Sequence, residues 1–127
     1  MIDVGAKTAF GFGTDPIVIR HFGDGIKGGK VLDVTGYGEE FIRAGHVVIK
    51  ETATGVYKPM PVSADAYASL PAGHEYVGVV VANKETAEPF VGIMTDGEVN
   101  DVASPYPLDS ILSDFKAAVP TIRFDHD

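Results

Sequence analysis

Gly23-Asp-Gly25-Ile-Lys-Gly28 comes nearest to a chemical motif in this chain of 127 residues. Its G-x-G-x-x-G spacing comes after an apolar run, as in a dinucleotide site, where a helix must begin directly so that its N-terminus faces the pyrophosphate. Here the glycines lead instead into Gly29-Lys-Val-Leu-Asp-Val-Thr-Gly36, a second adjacent glycine and then a β-type run. The segment is therefore expected to be a turn between strands. His21, His46, His74 and His126 are never three or four residues apart, so no helix face or hairpin hands two of them to a metal. His21 and His46 lie in strand-like runs and read as hydrogen-bonded structural residues, and His126 sits between Asp125 and Asp127, where metal binding would be adventitious. None of Ser63, Ser69, Ser104, Ser110 and Ser113 stands in a G-x-S-x-G elbow. Thr95-Asp96-Gly97-Glu98 has the look of a calcium loop but lacks the further oxygen ligands, and turn geometry accounts for its Asp-Gly. The chain is accordingly expected to be no enzyme, with no catalytic residue, no metal ligand and no cofactor.

Composition narrows the classes further. Eighteen acidic against ten basic residues give a net charge of −8, which disfavours nucleic acid and anionic membranes as partners. With 45% apolar residues there is material for one core, and 15 Gly and 8 Pro would interrupt a helical bundle, so a single mainly β domain is expected. No Cys is present, which removes disulfides, thiolate zinc sites and cysteine nucleophiles while leaving the compartment open. The longest apolar run, Tyr76 to Ala82, falls far short of a membrane helix, and no signal-like segment opens the chain, so a soluble protein is expected. After Lys58 the chain carries three bases against eleven acids, so the whole net charge lies in its second half.

The elements that would position any site are short. Residues 1–16 read as an extended N-terminal arm and 17–127 as one domain. Ile17 to Phe22 and Lys30 to Val34 read as strands. His46 to Glu51 and Val56 to Lys58 flank Thr52-Ala-Thr-Gly55 as a hairpin, and Pro59 and Pro61 end its second strand or place it at an edge. Tyr76 to Ala82 has the pattern of a strand buried on both faces and is joined through Asn83 to Glu88 to a partner at Pro89 to Met94. Thr95 to Gly97 is expected to turn into a short strand, Glu98 to Asn100. Leu108, Ile111, Leu112, Phe115 and Val119 share one helical face, so a helix is expected from Pro105-Tyr-Pro107 to Pro120, before a last strand, Thr121 to Phe124. These elements predict a small β-barrel or β-sandwich-like domain with one short α-helix near the C-terminus.

In order and spacing, Ile42-Arg-Ala-Gly45-His-Val-Val-Ile-Lys50, Tyr57-Lys-Pro-Met60, Tyr76-Val-Gly-Val-Val80, Gly92-Ile-Met-Thr-Asp-Gly97-Glu-Val-Asn100, then a short helix and Pro120-Thr-Ile-Arg-Phe124, resemble the capsid-binding domain of tailed-phage head fibre and head decoration proteins. The resemblance spans about residues 40 to 124. It implies a virion protein made in the host cytoplasm and placed on the outer capsid surface, a homotrimer whose partner is the major capsid protein and which braces capsomers or carries appendages. In such proteins an N-terminal arm contacts the shell, which makes Phe10, Phe12 and Ile17 capsid-contact candidates. Packing of the two Phe on their own domain is the other reading. The chain ends at Asp127 with no fibrous extension, which favours a decoration protein or a base for other subunits.

Two other classes stay open on the residues. A small carbohydrate- or cell-surface-binding β module would use Tyr37, Tyr67 and Tyr106 as exposed glycan contacts. A small hydrolase would need a pocket holding His46 or His74 beside an acid.

Overall fold

The computed structural model describes residues 18–125. In chain order the elements are β1 (Ile19–Gly25), β2 (Lys30–Val31), β3 (Phe41–Ile42), β4 (Val47–Glu51), β5 (Tyr57–Pro59), β6 (Val62–Ser63), β7 (Ala66–Tyr67), β8 (His74–Val80), β9 (Lys84–Glu85), β10 (Phe90–Val91), β11 (Ile93–Asn100), α1 (Leu112–Ala118) and β12 (Ile122–Asp125). The chain is mainly β with one short C-terminal helix, as its Gly and Pro content requires.

Six strands form one open sheet in the order β1-β11-β8-β4-β5, with β12 also on β11. The other strands form two-stranded ribbons, β2 with β10, β3 with β9 and β6 with β7. Among the described residues no closed barrel forms, which corrects the barrel expectation. Strands of two residues carry too few ladder bonds to bridge the ends of a sheet into a cylinder.

The sheet is antiparallel except at β12. One edge of β11 pairs with β1 along its length, from Ile19↔Val99 to Gly25↔Met94. Its other edge is divided: Ile93 and Met94 pair with Val80 and Val79 of β8, and Gly97 to Asn100 run parallel to Ile122 to Asp125 of β12. A parallel return needs a long crossover, and the segment containing α1 supplies it.

Strand alternation sorts the core into two layers. Val47, Ile49, Val79 and Met94 face the layer that holds Phe115 of α1, while Val48, Val80 and Ile93 face Leu32, Ile42 and Val91. β8 runs His74–Val80 rather than the expected Tyr76–Ala82, with Ala82 beyond it and exposed, and its part from Tyr76 to Val80 is covered on both faces as its apolar run predicts. β5 ends the sheet and Pro59 pairs with Val48 there, the edge placement that proline demands.

Three local expectations are corrected. Thr95–Gly97 is no turn but the middle of β11. Gly97 has φ +153°, and a Cβ there would run into the carbonyl of His21 and lie 2.6 Å from Sδ of Met94, so the glycine serves close strand approach at an irregular register. The helix begins at Leu112, later than expected, because Pro105 and Pro107 bar the residues before them from helical geometry and lack N–H donors. A single turn, Ile111 N–H to the Leu108 carbonyl at 3.0 Å, leads into it, and Leu108, Ile111, Phe115 and Val119 are all buried as their spacing predicts. The link from β8 to β11 is more than a hairpin loop, since it contributes β9 and β10 to two ribbons. The polar stretch after Pro61 hides another hairpin, β6–β7, reversed at Ala64 and Asp65 with φ of 53° and 60°. Two consecutive positive φ values define a type I′ turn.

Candidate functional site

The three tyrosines named as glycan contacts converge on one histidine. His46 is 0% exposed at the start of β4, with the rings of Tyr37, Tyr67 and Tyr106 edge-on at 5.5, 5.3 and 5.7 Å. Its Nε2–H donates to the Met60 carbonyl at 2.9 Å, and that bond fixes Nδ1 as the bare nitrogen, which has no hydrogen-bond partner. Burial pushes the imidazole pKa down to about 4, against a smaller upward pull from the Met60 carbonyl. The ring is therefore neutral at physiological pH. Tyr67 is 4% exposed, and its hydroxyl accepts the Val47 N–H at 3.1 Å; burial pushes its pKa up. Tyr37 is half-buried and donates to the Phe41 carbonyl at 3.4 Å, and burial raises its pKa too. Tyr106 is also half-buried.

This arrangement corrects the expectation of exposure for Tyr67. A sugar stacks on a ring face open to solvent, and Tyr67 is enclosed, while Tyr37 and Tyr106 are half-buried with their rings roughly perpendicular to that of His46. The reading of His46 as a hydrogen-bonded structural residue holds. Three aromatic rings and a carbonyl surround its ring, and none of these is an acid. His74 is placed differently: its Nδ1 donates to the Ala72 carbonyl at 2.9 Å, and its Nε2 faces the Lys58 ammonium at 3.2 Å, which pairs with Glu51 at 3.6 Å. The lysine thus stands between this histidine and the carboxylate. Among the described residues no group of three or more His, Cys, Asp or Glu is placed to hold a metal ion, and no helix is long and apolar enough to cross a membrane.

Only the second half of the G-x-G-x-x-G segment is the expected turn between strands. Gly23 to Gly25 belong to β1, and a turn with φ of +78° at Gly28 and +71° at Gly29 leads to β2. No helix N-terminus comes after it.

Phe10, Phe12 and Ile17, the capsid-contact candidates, lie outside the described residues. Residues of β1 line two hollows. One hollow of about 370 Å³ is lined by Val18, Ile19, Arg43, Val81, Asn83 and Pro105. A second, of about 360 Å³, is lined by Phe22, Asp24, Ile26, Lys27, Val81 and Ile93. Val81 lines both. Phe22 stands 51% exposed at the second hollow, and Phe90, 54% exposed, pairs with the exposed Val31 of β2.

These exposed apolar residues are what sequence reasoning missed. Phe22 reads as one more member of an apolar strand, and only its place on the terminal strand of the sheet leaves it in solvent. A short signal existed in Arg20-His21 and Gly23-Asp24, polar or bare neighbours on both sides of one aromatic residue. Comparison of the chain with protein-family models, with curated proteins and with solved structures finds no match in any of the three.

Proposed function

We propose that the protein is a non-enzymatic structural component of a virion, binding the outer surface of a phage capsid as a head decoration or head fibre protein. The observation that carries this reading is where the resembling segments fall. Ile42 to Lys50 runs from the end of β3 into β4, Tyr57 to Met60 contains β5, Tyr76 to Val80 lies in β8, Gly92 to Asn100 contains β11, and Pro120 to Phe124 runs into β12. Of these strands β4, β5, β8, β11 and β12 belong to the one six-stranded sheet, so most of what carries the resemblance is also the body of the domain. On this reading the partner is the major capsid protein, the protein is a homotrimer, and Phe10, Phe12 and Ile17 contact the shell. Closed cyclic symmetry suits a small domain that meets a three-fold environment.

The test is co-sedimentation of the full chain with tailed-phage heads of the genome that encodes it, stripped of auxiliary proteins. Binding at a fixed, saturable ratio to capsid protein is expected, and it should vanish when residues 1–14 are deleted while the circular dichroism of the domain is unchanged. No binding by the full chain overturns the capsid reading; full occupancy by the truncated chain overturns the shell-contact residues alone. Specific binding of the isolated protein on a glycan array would instead favour a carbohydrate-binding module.

A further inference from the structure

The hollow of about 370 Å³ is set apart by its charge. Arg43 lines it, and none of the described acids does. The hollow at Phe22 carries both Asp24 and Lys27, and one beside Leu108 carries Asp101 and Asp109. Arg43 is exposed, and among the described residues its side chain makes no ion pair and no hydrogen bond. Asn83 lines the same hollow. Its Oδ1 accepts the Ala44 N–H at 2.7 Å, which orients the amide and leaves the Nδ2 hydrogens without an acceptor among the described residues. We propose that this hollow binds an apolar carboxylate, one carboxylate group on a small apolar body, as in a short fatty acid or an apolar chain terminus. The Arg43 guanidinium and the Asn83 amide hold the carboxylate, and Val18, Ile19, Val81 and Pro105 take the apolar body. Such a ligand is independent of any capsid and of the function proposed above.

Charge, lining, size and rigidity select this chemistry together. A guanidinium is a planar fork that matches the two oxygens of a carboxylate, and the amide adds one more donor. A phosphate dianion would bring two charges to a single base in a chain of net charge −8. Glu39 and Asp65, the acids whose charges reach Tyr106, do not line the hollow, while the charge of Arg43 reaches that ring as well. The remaining lining is aliphatic and half-buried, so it gains from an apolar body and gains nothing from a hydrated inorganic ion. A volume of about 370 Å³ lies at the small end of ligand sites. The walls are also tied to one another before any ligand arrives. Besides the bond from Ala44 to Asn83, the Gly45 N–H donates to the Val80 carbonyl at 2.7 Å and the Asn100 N–H to the Val18 carbonyl at 2.7 Å. Gly45 has φ +87°, and a Cβ there would collide with the Val18 side chain, so the Arg43 turn seats directly against Val18. A site whose donors are already held loses less freedom on binding.

Nuclear magnetic resonance titration of the full chain with hexanoate tests this. Saturable shifts are expected at the Ala44 amide, the Asn83 side-chain amide and the methyls of Val18 and Val81. Hexan-1-ol lacks the charge, and acetate and inorganic phosphate lack the apolar body. Each should bind about 10-fold more weakly or worse, and Arg43→Gln should weaken hexanoate by a similar factor, the scale of one charge-assisted hydrogen bond. Asn83→Asp keeps an acceptor for the Ala44 N–H but replaces the donor with a negative oxygen, so it should abolish binding with the circular dichroism unchanged. A tripeptide ending in leucine, with its terminus free or amidated, separates the two sources. Tighter binding of the free-ended peptide than of hexanoate assigns the site to a chain terminus, and weaker binding assigns it to a free acid. The absence of a saturable shift with hexanoate, equal binding of hexan-1-ol, or undiminished binding by Arg43→Gln overturns the proposal.

Discussion

The two faces of the central sheet are both apolar, yet they are covered by different means. On one face thirteen buried residues gather around α1, β12 and the β6–β7 hairpin, with Phe115 at 0% exposure between Tyr76 and Phe124 at ring distances of 5.4 and 5.6 Å. On the other, six buried residues lie under two ribbons whose strands are two residues long. A helix satisfies its own backbone and presents a ready apolar stripe. A two-residue ribbon shares its few hydrogen bonds with whatever it pairs with, so its cover is easier to lift. The helix face should therefore set global stability and the ribbon face should open locally.

The largest effect is expected from Phe115→Ala. Removing a fully buried ring between two others should cost about 4 kcal/mol, read as a lower urea midpoint with an unchanged slope. A loss below about 1 kcal/mol would show that the helix does not anchor its face.

The next effect concerns the joint between the faces. Met60 and Tyr67 belong to the helix-side layer and Tyr37 packs against the ribbon-side layer, and all three touch His46. The folded protein holds the imidazole at a pKa of about 4, below its ordinary 6.5, so the neutral ring supports stability above pH 6.5 and that support is lost as pH falls through 4. The loss amounts to about 3 kcal/mol from that depression. The charged groups around the tyrosines, Glu39, Arg43 and Asp65, make no hydrogen bond to the bare Nδ1. The comparison is therefore with His46→Phe: its stability should fall less steeply than that of the parent between pH 6.5 and 4. Parallel curves for the two proteins would remove His46 as the joint.

The smallest effect is expected on the ribbon face. Leu32→Ala should cost about 2 kcal/mol, the low end for a buried leucine, because the short neighbouring strands can relax into the space. Amide exchange in β2, β3 and β10 should quicken more than in β8. Equal quickening throughout the sheet would mean that the two faces unfold as one.

The sequence made one half of this comparison legible. The β4–β5 hairpin shows in its turn residues, β8 in an unbroken apolar run, and the helix stripe in the spacing of Leu108, Ile111, Phe115 and Val119. The ribbon face does not show, because two-residue strands such as Phe41–Ile42 have no period to detect and depend on partners far along the chain, Lys84–Glu85 in this case. The Asp-Gly at 96–97 reads as a turn by composition, whereas its glycine answers the approach of His21 across the sheet, a contact that local pattern cannot announce. The histidine–tyrosine cluster was legible only as separate residues. His46 reads correctly as structural, but Tyr37, Tyr67 and Tyr106 come from three distant segments, and nothing in their own neighbourhoods marks them as enclosing it.

The divided edge of β11 has a consequence for biosynthesis. Its N-terminal part is held by β8, made earlier, but its C-terminal part waits for Ile122–Asp125, made only after the helix. Along the opposite edge, Phe22 waits for its partner Gly97, far later in the chain. A nascent chain halted after Asn100 would thus carry the longest strand of the sheet with half of one side bare. Completion of the sheet falls after α1 is made, when β12 seats itself in parallel beside Gly97 to Asn100.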